Sequence, residues 1–201
     1  MLSRERSFPR AALGGLLALF LPTISVAQND AMNFRVIVAE NCRGPCPPEV
    51  VANGMIALES ADTFRAIALR LAPNPIFVRL SSAGGSLVGS LQLGQAFREF
   101  NATVIVGKEA RCVSACAYAF LGGTARRVDG GRIGVHRFRP KNEETDNDFP
   151  AVLAQRALEI LTKYVTQMGA NPELVSIAMG VQPPAVHFFN VGELRRLRVI
   201  N

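Results

Sequence analysis

The sequence predicts a single α/β domain with parallel strand pairing. Two observations carry that reading. Short apolar strands alternate with amphipathic helices along the chain, and Gly, Pro or Asn marks most of the junctions between them. Residues 28–201 are enough for one domain with a real core, and no internal repeat, low-complexity tract or linker divides them.

Residues 34–38 (FRVIV) alternate as a first strand should. Gly44, Pro45, Pro47 and Pro48 make 41–48 a loop, and 55–58 reads as a short strand. Ser60 offers an N-cap to a helix over 61–71, where Phe64, Ile67, Ala68 and Leu71 share a face. Asn74-Pro75 stops that helix, and 76–80 forms an apolar strand. A glycine-bearing turn over 81–86 leads into a helix over 87–100, with Leu87, Leu91, Gly94 and Phe97 close to one stripe. Residues 103–106 give another apolar strand. Residues 112–121 read as a helix entered from a turn and closed by Gly122-Gly123. Short strands at 127–128 and 132–135 deliver His136, and 137–148 is a charged loop. Pro150 opens a long amphipathic helix through Met168, ended by Gly169. Asn171-Pro172 starts a short helix to Met179, ended by Gly180. Asn190, with Glu193 three residues on, has the form of a capping box for a last helix.

The first 27 residues read as a secretory signal peptide rather than as part of the fold. Arg4, Arg6 and Arg10 form a positive start, an apolar run follows, and Ser25-Val26-Ala27 places small residues before a first mature residue Gln28. An uncleaved membrane anchor is the alternative, since residues 11–29 carry no charge. Gly14, Gly15, Pro22 and the short apolar core favour cleavage and a periplasmic or secreted domain, 28–201. Losing three arginines and Glu5 lowers the formal charge from +6 to +4, spread along the chain. No Lys/Arg stripe with interleaved aromatics appears, so nucleic acid is not an expected partner.

The four cysteines form two local pairs, Cys42 with Cys46 and Cys112 with Cys116. In an exported chain an even count reads as two disulfides, with three connectivities open. Local pairing is allowed, because residues four apart on a helix have Cα atoms about 6 Å apart. Zinc is disfavoured: both pairs are C-x3-C, and His136 and His187 are the only histidines. No metal or cofactor is expected.

Three segments carry possible chemistry. In SSAGGSL (81–87) a strand ends at Gly84-Gly85 and a helix begins, which turns N–H groups toward an anion or oxyanion. It lacks the Gly-Lys-Ser/Thr of a phosphate loop. In RCVSACAYAFLGG (111–123), Ser114 stands at a helix start, where the N–H of Ala115 is available to an oxyanion. That serine is equally placed for a plain N-cap. In IGVHRF (133–138), His136 ends an apolar strand 22 residues beyond Ser114, a base for a nucleophile that needs one.

Together, strand-SxGG-helix, a serine in a small-residue helix start and a strand ending in histidine resemble the Clp protease proteolytic subunit. The likeness runs from about Met55 to Asn201, and the CVSAC form behind a signal peptide is similar to exported Clp-like proteins of bacteria. The resemblance implies a Clp/crotonase-like fold of repeated β-β-α units with a handle-like long helix. It implies Ser114 as nucleophile, His136 as general base, and Gly84 or Gly85 with Ala115 as oxyanion donors. The family's orienting aspartate falls at Val186, so the third member is open: Asp146 or Asp148, a backbone carbonyl, or a polar side chain such as Asn190. Lysine-using relatives make Lys163 a further candidate for base. A bonded Cys112–Cys116 pair would clamp the serine turn.

The function expected is an ATP-independent serine peptidase or acyl hydrolase outside the cytoplasm, acting on a peptide, an unfolded protein or a small ester. No ATP-driven unfoldase is expected there, and the long helix permits a homo-oligomer. A non-catalytic peptide-binding module on the same fold is the alternative. Crotonase-type thioester chemistry would need coenzyme A, which export does not supply.

Overall fold

The computed structural model describes residues 31–38, 47–138 and 151–201. The leader at 1–27 lies outside these residues, as do Asp146 and Asp148. So do Cys42 and Cys46, two of the four cysteines expected in disulfides.

Two β-layers support the helices. The larger sheet has the order β1 (Asn33–Ile37), β2 (Glu49–Asn53), β3 (Phe77–Ser81), β4 (Thr103–Val106) and β6 (Ala125–Val128). Only β1 runs antiparallel to its neighbour; the other pairs are parallel. The smaller sheet has the order β5 (Arg111–Val113), β7 (Arg132–Val135) and β8 (His187–Phe188), with β5 and β7 parallel and β8 antiparallel.

Single bridges extend the smaller layer, Ser82 to Cys112 and Ile56 to Gly85. They reveal a repeating path. The chain leaves the large sheet after β2, β3 and β4, makes contacts in the second layer, and then enters a helix. These helices are α1 (Ser60–Leu71), α2 (Leu87–Glu99) and α3 (Ala115–Leu121). After β6 and β7 come α4 (Ala151–Gln167), α5 (Glu173–Gly180) and α6 (Val191–Arg196). The protein therefore has the mixed α/β plan of repeated β-β-α units that the sequence implies, with α4 as its long helix.

Two local expectations are corrected, and one short strand was not expected. The strand expected at 55–58 is instead β2, just before it; Met55 and Ile56 make only bridges. Val50 and Ala52 are fully buried, so β2 is set by packing against β3 rather than by a run of apolar residues. Residue 112 lies on β5, and the helix begins only at Ala115. Strand β8 has two residues, too few to show a period.

Phe64, Phe97, Leu80, Leu93, Phe120, Ile133 and Leu161 are fully buried, and the Phe64 and Phe97 rings meet edge to face at 4.8 Å. Tyr164 Oη donates to Tyr118 O at 2.9 Å and ties α4 to α3. Arg126, 3% exposed, donates from Nη1 to Leu121 O and Met168 O and from Nη2 to Arg198 O. Arg98 donates to Gly122 O and also reaches Leu121 O and Met168 O. These carbonyls end α3 and α4, so two guanidiniums occupy the negative ends of two helices. Burial lowers Arg126 to about 10, and Arg98 beside it pushes the same way.

Helices α2 and α3 touch backbone to backbone. A Cβ on Gly122 would overlap the carbonyl group and Cα of Gly94, whereas one on Gly180 would meet nothing within 4 Å. Gly122→Ala should therefore lower stability by about 1–3 kcal/mol or more, since backbone has to move. Gly180→Ala should change it by no more than about 0.5 kcal/mol. Urea denaturation midpoints of the two variants measure the contrast.

Candidate active site

The smaller sheet places Ser114 and His136 at the same end of adjacent parallel strands. Val113 pairs with Gly134 in register, and the Ser114 N–H donates to Gly134 O at 2.9 Å. His136 directly follows β7, two residues beyond Gly134, and Ser114 directly follows β5, the strand beside it. Both residues are half-buried. Among the described residues Ser114 Oγ makes no hydrogen bond, to His136 or to any other group. In unliganded sites such a bond often closes only around substrate.

Ser114 is not a side-chain N-cap. It has φ 58° and ψ −126°, a left-handed-side conformation uncommon for a non-glycine residue, and its side chain makes no capping bond. Several contacts fix this turn. The N–H is held by Gly134, the carbonyl accepts from Ala117 N at 3.0 Å, and the Cys112–Cys116 disulfide joins β5 to α3 across the serine. Of the connectivities the sequence left open, the bond takes a local one, and it links a strand to a helix, with Cα atoms 5.1 Å apart. Cys42 and Cys46 fall outside the described residues.

The Gly84-Gly85 turn lies against the serine. A Cβ on Gly84 would come within 2.9 Å of Ser114 Cβ and 3.0 Å of Val113 O, and φ there is 115°. Only glycine allows this approach. The Gly84 N–H is already used, accepted by Ser82 Oγ at 3.0 Å, and Gly84 O accepts from Ile56 N. Gly85, at φ 131°, bridges Ile56 through its neighbours' groups, which leaves its own N–H without an acceptor among the described residues. Ala115 opens α3, so its N–H has no intrahelical acceptor either. Amides left free on Ala115, next to the serine, and on Gly85, next to the glycine that packs against it, are groups that can stabilise negative charge on an acyl oxygen.

His136 Nδ1 lies 2.8 Å from Arg137 O. A carbonyl only accepts, so this contact requires N–H at Nδ1 and leaves Nε2 as the basic nitrogen. Of the other candidates for third member, Asn190 uses its side chain to cap α6, accepting from Glu193 N at 2.9 Å. Val186 packs its Cγ1 over Gly134. Lys163 is exposed in a groove lined by α4 residues alone, such as Glu159, Thr162 and Thr166. A second groove of about 820 Å³ is lined by Ala83, Val113, Val186 and Phe188, with Arg111 and Glu109 at its charged side. Neither Ser114 nor His136 lines it.

Sequence reasoning missed one polar pair next to the site. His187, opposite Val135, places Nε2 3.0 Å from Glu193 Oε1. Glu193 simultaneously completes the capping box through the Asn190 N–H. That backbone hydrogen bond first, and His187 second, hold its carboxyl below the usual range. The capping box was the visible signal; the histidine joins it only because β8 precedes α6 in space as well as in sequence. Among the described residues, no cluster of three or more His, Cys, Asp or Glu could hold a metal ion, and no helix is long and apolar enough to cross a membrane.

No protein-family model matches the sequence, and no curated protein matches it. Solved structures do. A mutant of the 1510-N membrane-bound stomatin-specific protease matches with a TM-score of 0.57 and 18% identity, over 76% of this chain and 75% of that one. A ClpP1 mutant from Listeria monocytogenes matches with the same score and identity, over 76% of this chain and 88% of that one. A second 1510-N mutant, in complex with a substrate peptide, again scores 0.57 at 18% identity and covers 76% and 71%. The chain has the ClpP-like fold.

Two measurements probe this geometry. Peptide mapping without reductant should recover Cys112 and Cys116 linked to each other, and replacing both by serine should cost about 2 kcal/mol in a denaturation experiment. Glu193 has a depressed folded value, so its contribution is present above the unfolded value of 4.5 and lost as pH falls through the lower folded one. Glu193→Gln should therefore flatten that part of the stability–pH curve, read from melting temperatures between pH 6 and pH 3.

Proposed function

We propose that the protein is a serine peptidase-like acyl hydrolase working through Ser114 and His136. The carrying observation is the fixed, positive-φ backbone of Ser114 between β5 and α3, packed against Gly84, with the N–H groups of Gly85 and Ala115 unpaired among the described residues. Strand-to-helix turns of this kind expose a nucleophile while aiming amides at the developing charge. Solved peptidases of the same fold, one of them holding a substrate peptide, support an acyl substrate.

In this reading His136 Nε2 accepts the proton of Ser114 Oγ as the oxygen attacks the acyl carbon. The C=O bond opens to an oxyanion, which receives the N–H groups of Gly85 and Ala115. The proton then passes from His136 to the leaving amine or alkoxide, and the acyl–leaving-group bond breaks. Water repeats the sequence on the acyl-Ser114 ester: it loses a proton to His136, attacks, and releases the acid and free Ser114. Of the two glycines, Gly85 is the donor and Gly84 is the spacer that lets the turn approach.

The signal-peptide reading of residues 1–27 puts this activity in the periplasm or outside the cell, or at a membrane if the leader stays attached. Peptides, unfolded chains or small esters are then the substrates, without an ATP-driven unfoldase. The exposed face of α4, which includes Ile160, is the surface for assembly of a homo-oligomer. A second reading draws on the open Ser114–His136 geometry and the exposed edge strand β1: a module that binds extended peptide without cleaving it.

A fluorophosphonate probe separates the two. Wild-type protein should label at Ser114, Ser114→Ala should not label, and His136→Ala should label about 10²- to 10⁴-fold more slowly. His187→Ala should label at close to the wild-type rate. Folded wild-type protein that fails to label overturns the hydrolase in favour of the binding module, and labelling that depends on His187 removes His136 as the base.

A further inference from the structure

We propose that Arg137 is the positioning residue for His136, and that the C-terminal end of α5 takes over the task of an orienting carboxylate. This rests on the Ser114–His136 reading above and gives it its third member.

The acceptor on His136 Nδ1 is the carbonyl of Arg137, and that residue is anchored twice to one place. Its N–H donates to Val181 O at 2.8 Å, and its Nε donates to Met179 O at 2.9 Å. Both acceptors are carbonyls at the end of α5, groups that have no partner inside the helix. A guanidinium is well matched to the Met179 carbonyl, because the helix end carries partial negative charge and the fork of donors keeps its direction. With its amide and its side chain both tied to the end of α5, residue 137 is held in place beside His136, and its carbonyl meets the imidazole.

The side chain of Arg137 therefore acts on chemistry that it does not touch. It fixes the peptide that fixes the tautomer, N–H at Nδ1 and a bare Nε2. This arrangement explains how a site with Val186 at the expected aspartate position can still hold its histidine in the state a general base needs. It also makes α5 part of the site, although no side chain of α5 contributes.

The sequence contains two histidines, so nitrogen-15 spectra of the imidazoles test this directly, with His187→Gln assigning the signals. Spectra are recorded where both rings are neutral. Wild-type His136 should show a protonated Nδ1 and an unprotonated Nε2. Arg137→Met should shift at least half of the population to the Nε2–H form and slow fluorophosphonate labelling about ten-fold or more. Arg137→Lys, which keeps a cation at the helix end, should restore part of both. A wild-type His136 already in the Nε2–H form overturns the proposal, as does an unchanged tautomer in folded Arg137→Met. If Arg137→Met does not fold, the wild-type tautomer and the Arg137→Lys variant decide. Protein with the expected tautomers that never labels sinks the hydrolase reading and leaves the positioning role standing.

Discussion

Successive β-β-α units of this fold meet where a side chain has no room, and the rest of the structure depends on that close approach. The second unit meets the first through Gly85 against Ile56, and meets the third through Gly84 against Ser114. The helices of the second and third units meet through Gly94 and Gly122. Where two backbones touch, their polar groups are either paired across the contact or left facing outward. Ile56 N and O take the first option with the glycine turn, whereas the amides of Gly85 and Ala115 have no partner among the described residues. The same geometric demand thus closes the core and prepares the site.

Charge is handled in a related way. Arg98 and Arg126 sit among the carbonyls of Leu121, Gly122 and Met168, with no carboxylate bonded to either among the described residues. The guanidinium of Arg137 does the same at Met179 O. In each case a cation answers the partial negative charge of a helix end, and backbone oxygens supply what an acidic side chain would elsewhere supply. This sparing use of acids extends to the imidazole of His136, whose partner is also a peptide carbonyl.

Much of the fold was legible because its signals are local. The strand at Thr103–Val106 and the helix from Leu87 follow from apolar runs and a glycine turn, and the Asn190–Glu193 box is a spacing within one turn. What stayed hidden depends on contacts far along the chain. Strand β2 follows two prolines and owes its state to β3, and β5 is three residues whose partner is 21 positions away. The candidate residues were legible as types and spacings: Ser114, His136 and the glycine turn. Choosing Gly85 over Gly84 required knowing that Ser82 Oγ takes the Gly84 N–H. The partner of His136 left no trace at all, since every residue has a carbonyl and only the fold aims one.

The disulfide between β5 and α3 carries a consequence for the order of events in the life of the chain. Cys112 and Cys116 are fully buried once the domain is formed. An oxidant or an exchanging thiol has to reach a sulfur to form the bond, so joining must come before the strand and helix close over it. Oxidation is therefore a step in maturation rather than a finish applied to a completed protein. A domain that closed with both thiols reduced would have to open again around Cys112 and Cys116 before the bond could form.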